Sequence, residues 1–240
     1  MACFSKEQRG NQKMSITENY QRIRKEIPDN VTIVLASKTR TPEEIIKVIE
    51  TGATDIGENY IQEAEGMYNC LGEKAKKVRW HMIGALQKNK INKALPIFDV
   101  IQTVDSLKTA VAIDRRVERA GKKIIPVYIE INIGSEITKD GLKPDYEIIE
   151  SLVREISKLE HLSLEGLMTM GPRFGNPEDS RPYFRKTKDI FERIRALNLP
   201  NVNMKTLSMG MTNSYKVAIE EGSNMVRLGT IVFGKRKYKN

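Results

Sequence analysis

Cysteine and histidine are scarce here, with two of each in 240 residues. Cys3 and Cys70 make no paired framework, and neither lies at metal-ligand spacing from His81 or His161. A disulfide scaffold and a zinc site are therefore not expected, and the thiol usage fits a reducing cytosol. There is no apolar run of about 18 residues, and residues 1–13 lack an apolar signal core, so neither a membrane span nor a secretory leader is indicated. A cytoplasmic location is the expectation. Aromatic residues make up only 6% of the chain and do not interleave with basic ones, which argues against base stacking on nucleic acid. Repeats, low-complexity runs, composition breaks and antiparallel hairpin signals are absent too, leaving a single-domain chain.

What is abundant is positive charge, 40 Lys and Arg against 31 Asp and Glu for a net +9. A nucleic acid, an acidic membrane or a phosphorylated small molecule would each be attracted. The charge is spread along the chain, with local excess only at 74–79 and 235–239. No specific nucleic acid or membrane partner is expected from it.

The most informative stretch is 31–38, Val-Thr-Ile-Val-Leu-Ala-Ser-Lys. It reads as a strand bounded by Pro28 and Pro42, apolar on both faces as a covered parallel strand is. Alternation puts Lys38 on one face with Thr32, Val34 and Ala36, residues small enough for a barrel interior. Lys38 then stands at the carboxyl end of the strand, where parallel α/β folds keep their chemistry. An amine partly withdrawn from water is a nucleophile toward an aldehyde. A solvated surface lysine is the competing reading, and for one isolated lysine the more frequent one.

The rest of the chain repeats one pattern. Ser15 with Glu18 makes a capping box for a helix to about residue 26. Thr41-Pro42-Glu43-Glu44 opens a second helix, closed by Gly52. Further strands are expected at 54–59, 78–84, 98–104, 124–133, 162–168, 204–209 and 224–228. Helices follow them at 60–70, 87–94, 107–120, 145–158, 178–197 and 215–221, with a short helical segment after Gly229-Thr230. Eight strands each followed by a helix mean a parallel sheet, and eight units in 240 residues suit a closed (β/α)8 TIM-type barrel. An open doubly wound sheet is the alternative. The expected layout is a flexible N-terminus at 1–13, the barrel at 14–236 and a basic tail at 237–240.

If every strand ends at one mouth, Lys38, Asn59, the segment 81–84, Thr103, Asn132, Met168, Ser208 with Gly210, and Arg227 with Gly229-Thr230 gather there. The two glycine turns on the last two strands let backbone N–H groups approach an anion, as in the phosphate site of such barrels. Tight turning alone explains them equally well. Arg227 interrupts an apolar strand and points inward with Met225, so it needs a partner. Glu130 or Glu165 would serve, as would an anionic ligand or a ring nitrogen. His81 reads first as a satisfied core histidine. Asn59 is either a helix N-cap or a ligand contact. Lys139-Asp140-Gly141 reads as a solvated loop, and Met168 and Met170 as core.

Together these residues resemble the pyridoxal phosphate homeostasis protein family, relatives of the barrel domain of alanine racemase. The blocks that carry the likeness are Leu35-Ala36-Ser37-Lys38, Ile56-Gly57-Glu58-Asn59-Tyr60-Ile61-Gln62-Glu63 and Trp80-His81-Met82-Ile83-Gly84 with Leu86-Gln87 and Asn89-Lys90. Leu164-Glu165-Gly166-Leu167-Met168-Thr169-Met170, Leu207-Ser208-Met209-Gly210-Met211 and Val226-Arg227-Leu228-Gly229-Thr230-Ile231-Val232-Phe233-Gly234 complete the set, in family order. The resemblance implies a Schiff base between Lys38 and pyridoxal 5′-phosphate (PLP). It implies Ser208, Gly229 and Thr230 at the phosphate with Met209 beside them, Arg227 at the pyridine nitrogen, and Asn59 and His81 near the cofactor. Two departures from the usual pattern are Ala85, where histidine is common, and Thr212-Asn213, where a serine or aspartate pair is common.

The resemblance further implies a role in holding and delivering PLP, with PLP-dependent apoenzymes as recipients and a monomer or weak dimer as the working form. An arginine at the pyridine nitrogen keeps its proton, leaving the ring a weaker electron sink. Racemisation needs an acid/base group on each face, and only Lys38 is evident. A weak PLP-dependent amino-acid racemase remains the alternative.

Overall fold

A computed structural model of the chain describes residues 14–134, 141–169 and 175–235. The expected flexible segment 1–13 and basic tail 237–240, and the expectations for Lys139, Asp140 and Met170, lie outside the described residues.

Eight parallel strands close into one barrel in chain order. They are β1 (Thr32–Ala36), β2 (Asp55–Glu58), β3 (Arg79–Met82), β4 (Val100–Val104), β5 (Ile125–Ile131), β6 (Leu162–Thr169), β7 (Val202–Met211) and β8 (Met225–Leu228). Around them run α1 (Ile16–Glu26), α2 (Pro42–Glu50), α3 (Ile61–Leu71), α4 (Ile91–Ala94), α5 (Leu107–Arg119), α6 (Tyr146–Ile156), α7 (Arg181–Ala196), α8 (Tyr215–Glu220) and α9 (Thr230–Phe233). β1 pairs with β8 from Thr32↔Met225 to Leu35↔Leu228, which closes the sheet and rules out the open doubly wound alternative.

The local reasons are visible in the caps and the alternation. Ser15 accepts from the Glu18 N–H at 3.2 Å while Glu18 accepts from the Ser15 N–H at 2.7 Å, and Thr41 with Glu44 repeats the device before Pro42. In β1, Ile33 and Leu35 pack outward under the helices, while Val34 joins Val100, Tyr128, Met168 and Met225 in a separate cluster inside the barrel.

Two stretches differ from the sequence expectation. Residues 87–94 form a 3-10 turn, Lys88–Lys90, and the one-turn α4. Only Ile91 and Ala94 are buried within it, too few for a longer amphipathic helix. β1 ends at Ala36, so Lys38 lies two residues beyond its strand, in the turn toward α2. Among the described residues, no helix is long and apolar enough to cross a membrane.

Candidate functional site

Lys38 is half-buried at the barrel mouth, and its Nζ donates to Tyr60 Oη at 3.0 Å while lying 4.4 Å from the Tyr60 ring centre. Its loop is held from both sides. Thr39 has φ +64°, a left-handed conformation that disfavours a β-branched residue. Its N–H donates to Glu63 Oε2 of α3 at 3.3 Å. Arg40 donates to the carbonyls of Phe233, at 3.3 Å, and Gly234, at 2.7 Å, and its guanidinium lies 5.2 Å from the Phe233 ring. The loop bearing the amine is thus tied to the C-terminal end of α9.

Behind the loop, Glu58 is buried at 1% exposure and accepts from Ser37 Oγ at 2.5 Å. Its second oxygen has no partner among the described residues. Burial pushes its carboxyl up to about 7, against the opposing pull of Ser37, the Asn59 N–H and the Lys38 charge.

Arg227 sits opposite Val34 in the β1–β8 ladder, two residues before the end of β1 at Ala36 and so deeper in the barrel than the Lys38 turn. It is buried, and its Nη1 donates to Ser208 O at 2.9 Å and Ser208 Oγ at 2.7 Å, while Nη2 donates to Thr169 O at 2.6 Å. Burial pushes the guanidinium down to about 10, with the Glu130 charge opposing. Of the two carboxylates considered from sequence, Glu130 is therefore the one whose charge bears on Arg227. Glu165 instead pairs with Lys205 at 3.0 Å. Beside Arg227 lies a small cavity also lined by Thr169, Gly210 and Met211, and Thr169 Oγ1 is buried there with no partner among the described residues.

Several expected contact residues are placed differently. Ser208 is fully buried and its hydroxyl donates inward to Gln102 Oε1 at 2.8 Å, so the side chain faces the barrel interior and not an anion at the mouth. Met209 points the other way, into the core between barrel and helices, because alternation turns it outward. His81 is also fully buried, with Nε2 at 2.8 Å from Asp55 Oδ1 and Nδ1 at 2.9 Å from Gln102 Nε2. It is a satisfied interior histidine and has no ring nitrogen free for a ligand. Asn59 does not cap α3, whose N-cap is Tyr60. It is half-buried at the β2 end, with its backbone pressed against Gly84, where a Cβ would come within 2.7 Å of the Asn59 Cα. Gly229 and Thr230 are accessible at the β8 end, Gly229 next to Ala36 of β1. Gly210, at φ +91°, has no room for a Cβ, which would fall 2.6 Å from Ala218 Cβ.

Sequence reasoning missed Tyr60, Glu58, Arg40 and Gln102. Gln102 had a signal: like Arg227, it interrupts an apolar strand at an inward position. Among the described residues, no cluster of three or more His, Cys, Asp or Glu suits a metal ion.

An amine at the mouth, a buried guanidinium deeper in the barrel, a hydroxyl beside it with no partner among the described residues, and an accessible glycine turn are groups that can hold a phosphorylated aldehyde. Comparison with known proteins agrees. The family "Alanine racemase, N-terminal domain" matches residues 13–237. The pyridoxal phosphate homeostasis protein of Aquifex aeolicus is 39% identical over 203 residues, 85% of this chain and 86% of that one. PipY of Synechococcus elongatus PCC7942 has been solved without PLP, at 27% identity and a TM-score of 0.85. It has also been solved with PLP bound, at 26% identity and a TM-score of 0.82, and in both cases the match covers 92% of this chain and 100% of that one. An alanine racemase of Clostridium difficile shares the fold at 18% identity and a TM-score of 0.73, with 57% of its length covered. The chain belongs to the pyridoxal phosphate homeostasis protein family, built on the alanine racemase N-terminal domain.

Proposed function

We propose that this protein binds pyridoxal 5′-phosphate at the barrel mouth, with Lys38 as its covalent attachment point, and serves intracellular vitamin B6 homeostasis. The observation that carries the reading is that Lys38, just past the end of β1, and the buried Arg227 of β8 come from neighbouring strands of one barrel. Arg227 would face the pyridine nitrogen, and the accessible turn at Gly229 and Thr230 would take the phosphate. Ser208 supports the site through Arg227 and not through its own contact with the phosphate. Asn59 stands at the rim. PLP, when bound, supplies an electrophilic aldehyde and a conjugated ring that delocalises negative charge.

This chain's own residues favour holding over turnover. Arg227 stays charged at neutral pH and donates, so it gives no proton to a ring nitrogen it faces. Tyr60 holds the Lys38 amine at the rim, and the ties of Thr39 and Arg40 fix the loop. A cytoplasmic protein, monomeric or weakly dimeric, that hands PLP to apoenzymes fits this arrangement. The test is an absorbance scan of purified protein with added PLP. A yellow band bound to the protein and lost in Lys38→Ala supports the reading; a band unchanged in Lys38→Ala refutes the anchor.

A further inference from the structure

Inside the barrel, five polar side chains from five different strands make one unbroken chain. Arg227 Nη1 is 2.7 Å from Ser208 Oγ, Ser208 Oγ 2.8 Å from Gln102 Oε1, Gln102 Nε2 2.9 Å from His81 Nδ1, and His81 Nε2 2.8 Å from Asp55 Oδ1. Four of the five side chains are at most 4% exposed, and Asp55 is 8%. Nothing in the attachment of a ligand to Lys38 requires such a chain.

The two ends fix its direction. Arginine has only donors, and an ionised carboxylate only acceptors. Asp55 is ionised: burial pushes its carboxyl up, but hydrogen bonds from His81 and Thr54 outweigh that and hold it below its ordinary value. His81 is neutral, because burial lowers its imidazole more than Asp55 raises it. A neutral His81 facing a carboxylate must carry its proton on Nε2, which leaves Nδ1 a bare acceptor. Gln102 must then present its NH2 to His81, where it also reaches Met225 Sδ at 3.3 Å, and its carbonyl to Ser208. Ser208 must donate to that carbonyl, so its lone pairs are left for Arg227. Every group donates to the next in one sense, from Arg227 to Asp55. Turning the amide of Gln102 over would require a second proton on His81.

We propose that Asp55, His81, Gln102 and Ser208 are positioning residues, a one-way relay of hydrogen-bond donors across the barrel that fixes the plane of the Arg227 guanidinium beneath the mouth. The inference rests on the PLP reading only for what Arg227 then faces. Ser208 Oγ and the carbonyls of Ser208 and Thr169 grip both terminal nitrogens, so the plane cannot turn without breaking the relay at its first link. The bound cofactor's electronic state would thereby depend on residues that never touch it.

The test has two arms on the full chain. In the first, nitrogen-15 NMR of His81 in the wild-type protein reads the tautomer without any cofactor. A proton on Nε2 and a bare Nδ1 support the relay; an imidazolium or a proton on Nδ1 overturns it. In the second, PLP is added to Ser208→Ala, Gln102→Met and the double variant, and the absorbance band is recorded. The relay predicts the same band shift in each single variant and no further shift in the double, since either change cuts one chain. Additive shifts, or an unshifted band in Ser208→Ala, overturn it. Should a variant fail to fold, the first arm decides alone. If the wild type takes up no PLP, the functional reading fails while the first arm still decides the relay.

Discussion

Glu58 offers a quantitative test of how the ground beneath Lys38 is built. Its carboxyl is 1% exposed, with Ser37 Oγ on one oxygen at 2.5 Å, and burial raises it from an ordinary value of 4.5 to about 7. At 1.36 kcal/mol per pH unit, holding the ionised form in place costs about 3 kcal/mol. The sign follows from proton binding. Below about pH 4.5 both folded and unfolded chains hold the proton, and the stability associated with this group is fully present. Between 4.5 and about 7 the unfolded chain releases the proton and the folded one keeps it, so stability falls as pH rises. Above about 7 the loss is complete. Glu58→Gln replaces the protonated acid by a neutral amide of the same shape and keeps an acceptor for Ser37. Urea unfolding followed by Trp80 fluorescence should find the variant close to wild type near pH 5 and about 3 kcal/mol more stable near pH 8.5. A variant less stable than wild type at the higher pH, or two curves of equal slope between them, would refute the reasoning.

Gly84→Ala should destabilise the fold by about 1–3 kcal/mol or more, because its Cβ would press into the Asn59 backbone, which cannot swing away as a side chain can. Thermal or urea unfolding checks it, and unchanged stability would contradict the close approach of the β2 and β3 ends. Arg227→Lys keeps the charge but cannot hold Ser208 and Thr169 together, and should cost about 1–3 kcal/mol by urea unfolding while also changing the spectrum of added PLP. Tyr60→Phe removes the 3.0 Å contact to Lys38 Nζ at a half-exposed site, so stability should change by less than about 1 kcal/mol. The same variant should take up PLP faster in a stopped-flow absorbance trace, because the amine no longer has to leave Tyr60. A slower uptake would assign Tyr60 a different role.

Much of the barrel was legible because its signals are local. The period of two in 31–38 put Val34 inside and Ile33 and Leu35 outside, as found. The capping box at Ser15 and the cap at Thr41 marked two helix starts, and the structure adds a second capping box at Thr41. Alternation also placed Arg227 inward beside Met225. The same rule turns Met209 outward, so its expected contact came from the resemblance and not from the strand. What the sequence did not disclose is set by distant pairing. Ser208 meets Gln102 across 106 residues of chain, and that one bond turns its hydroxyl away from the mouth. His81 gives no hint in its own strand that Asp55 will fill one ring nitrogen and Gln102 the other. Tyr60 reaches Lys38 only because β1 and β2 are neighbours in the sheet.

The central claim is that the Lys38 amine is where the cofactor attaches. Borohydride reduction of the PLP-loaded protein, followed by proteolysis and peptide mass spectrometry, measures it directly. The phosphopyridoxyl mass is predicted on the peptide containing Lys38 and on no other. Recovery of that mass on a different lysine, with the Lys38 peptide unmodified, would contradict it.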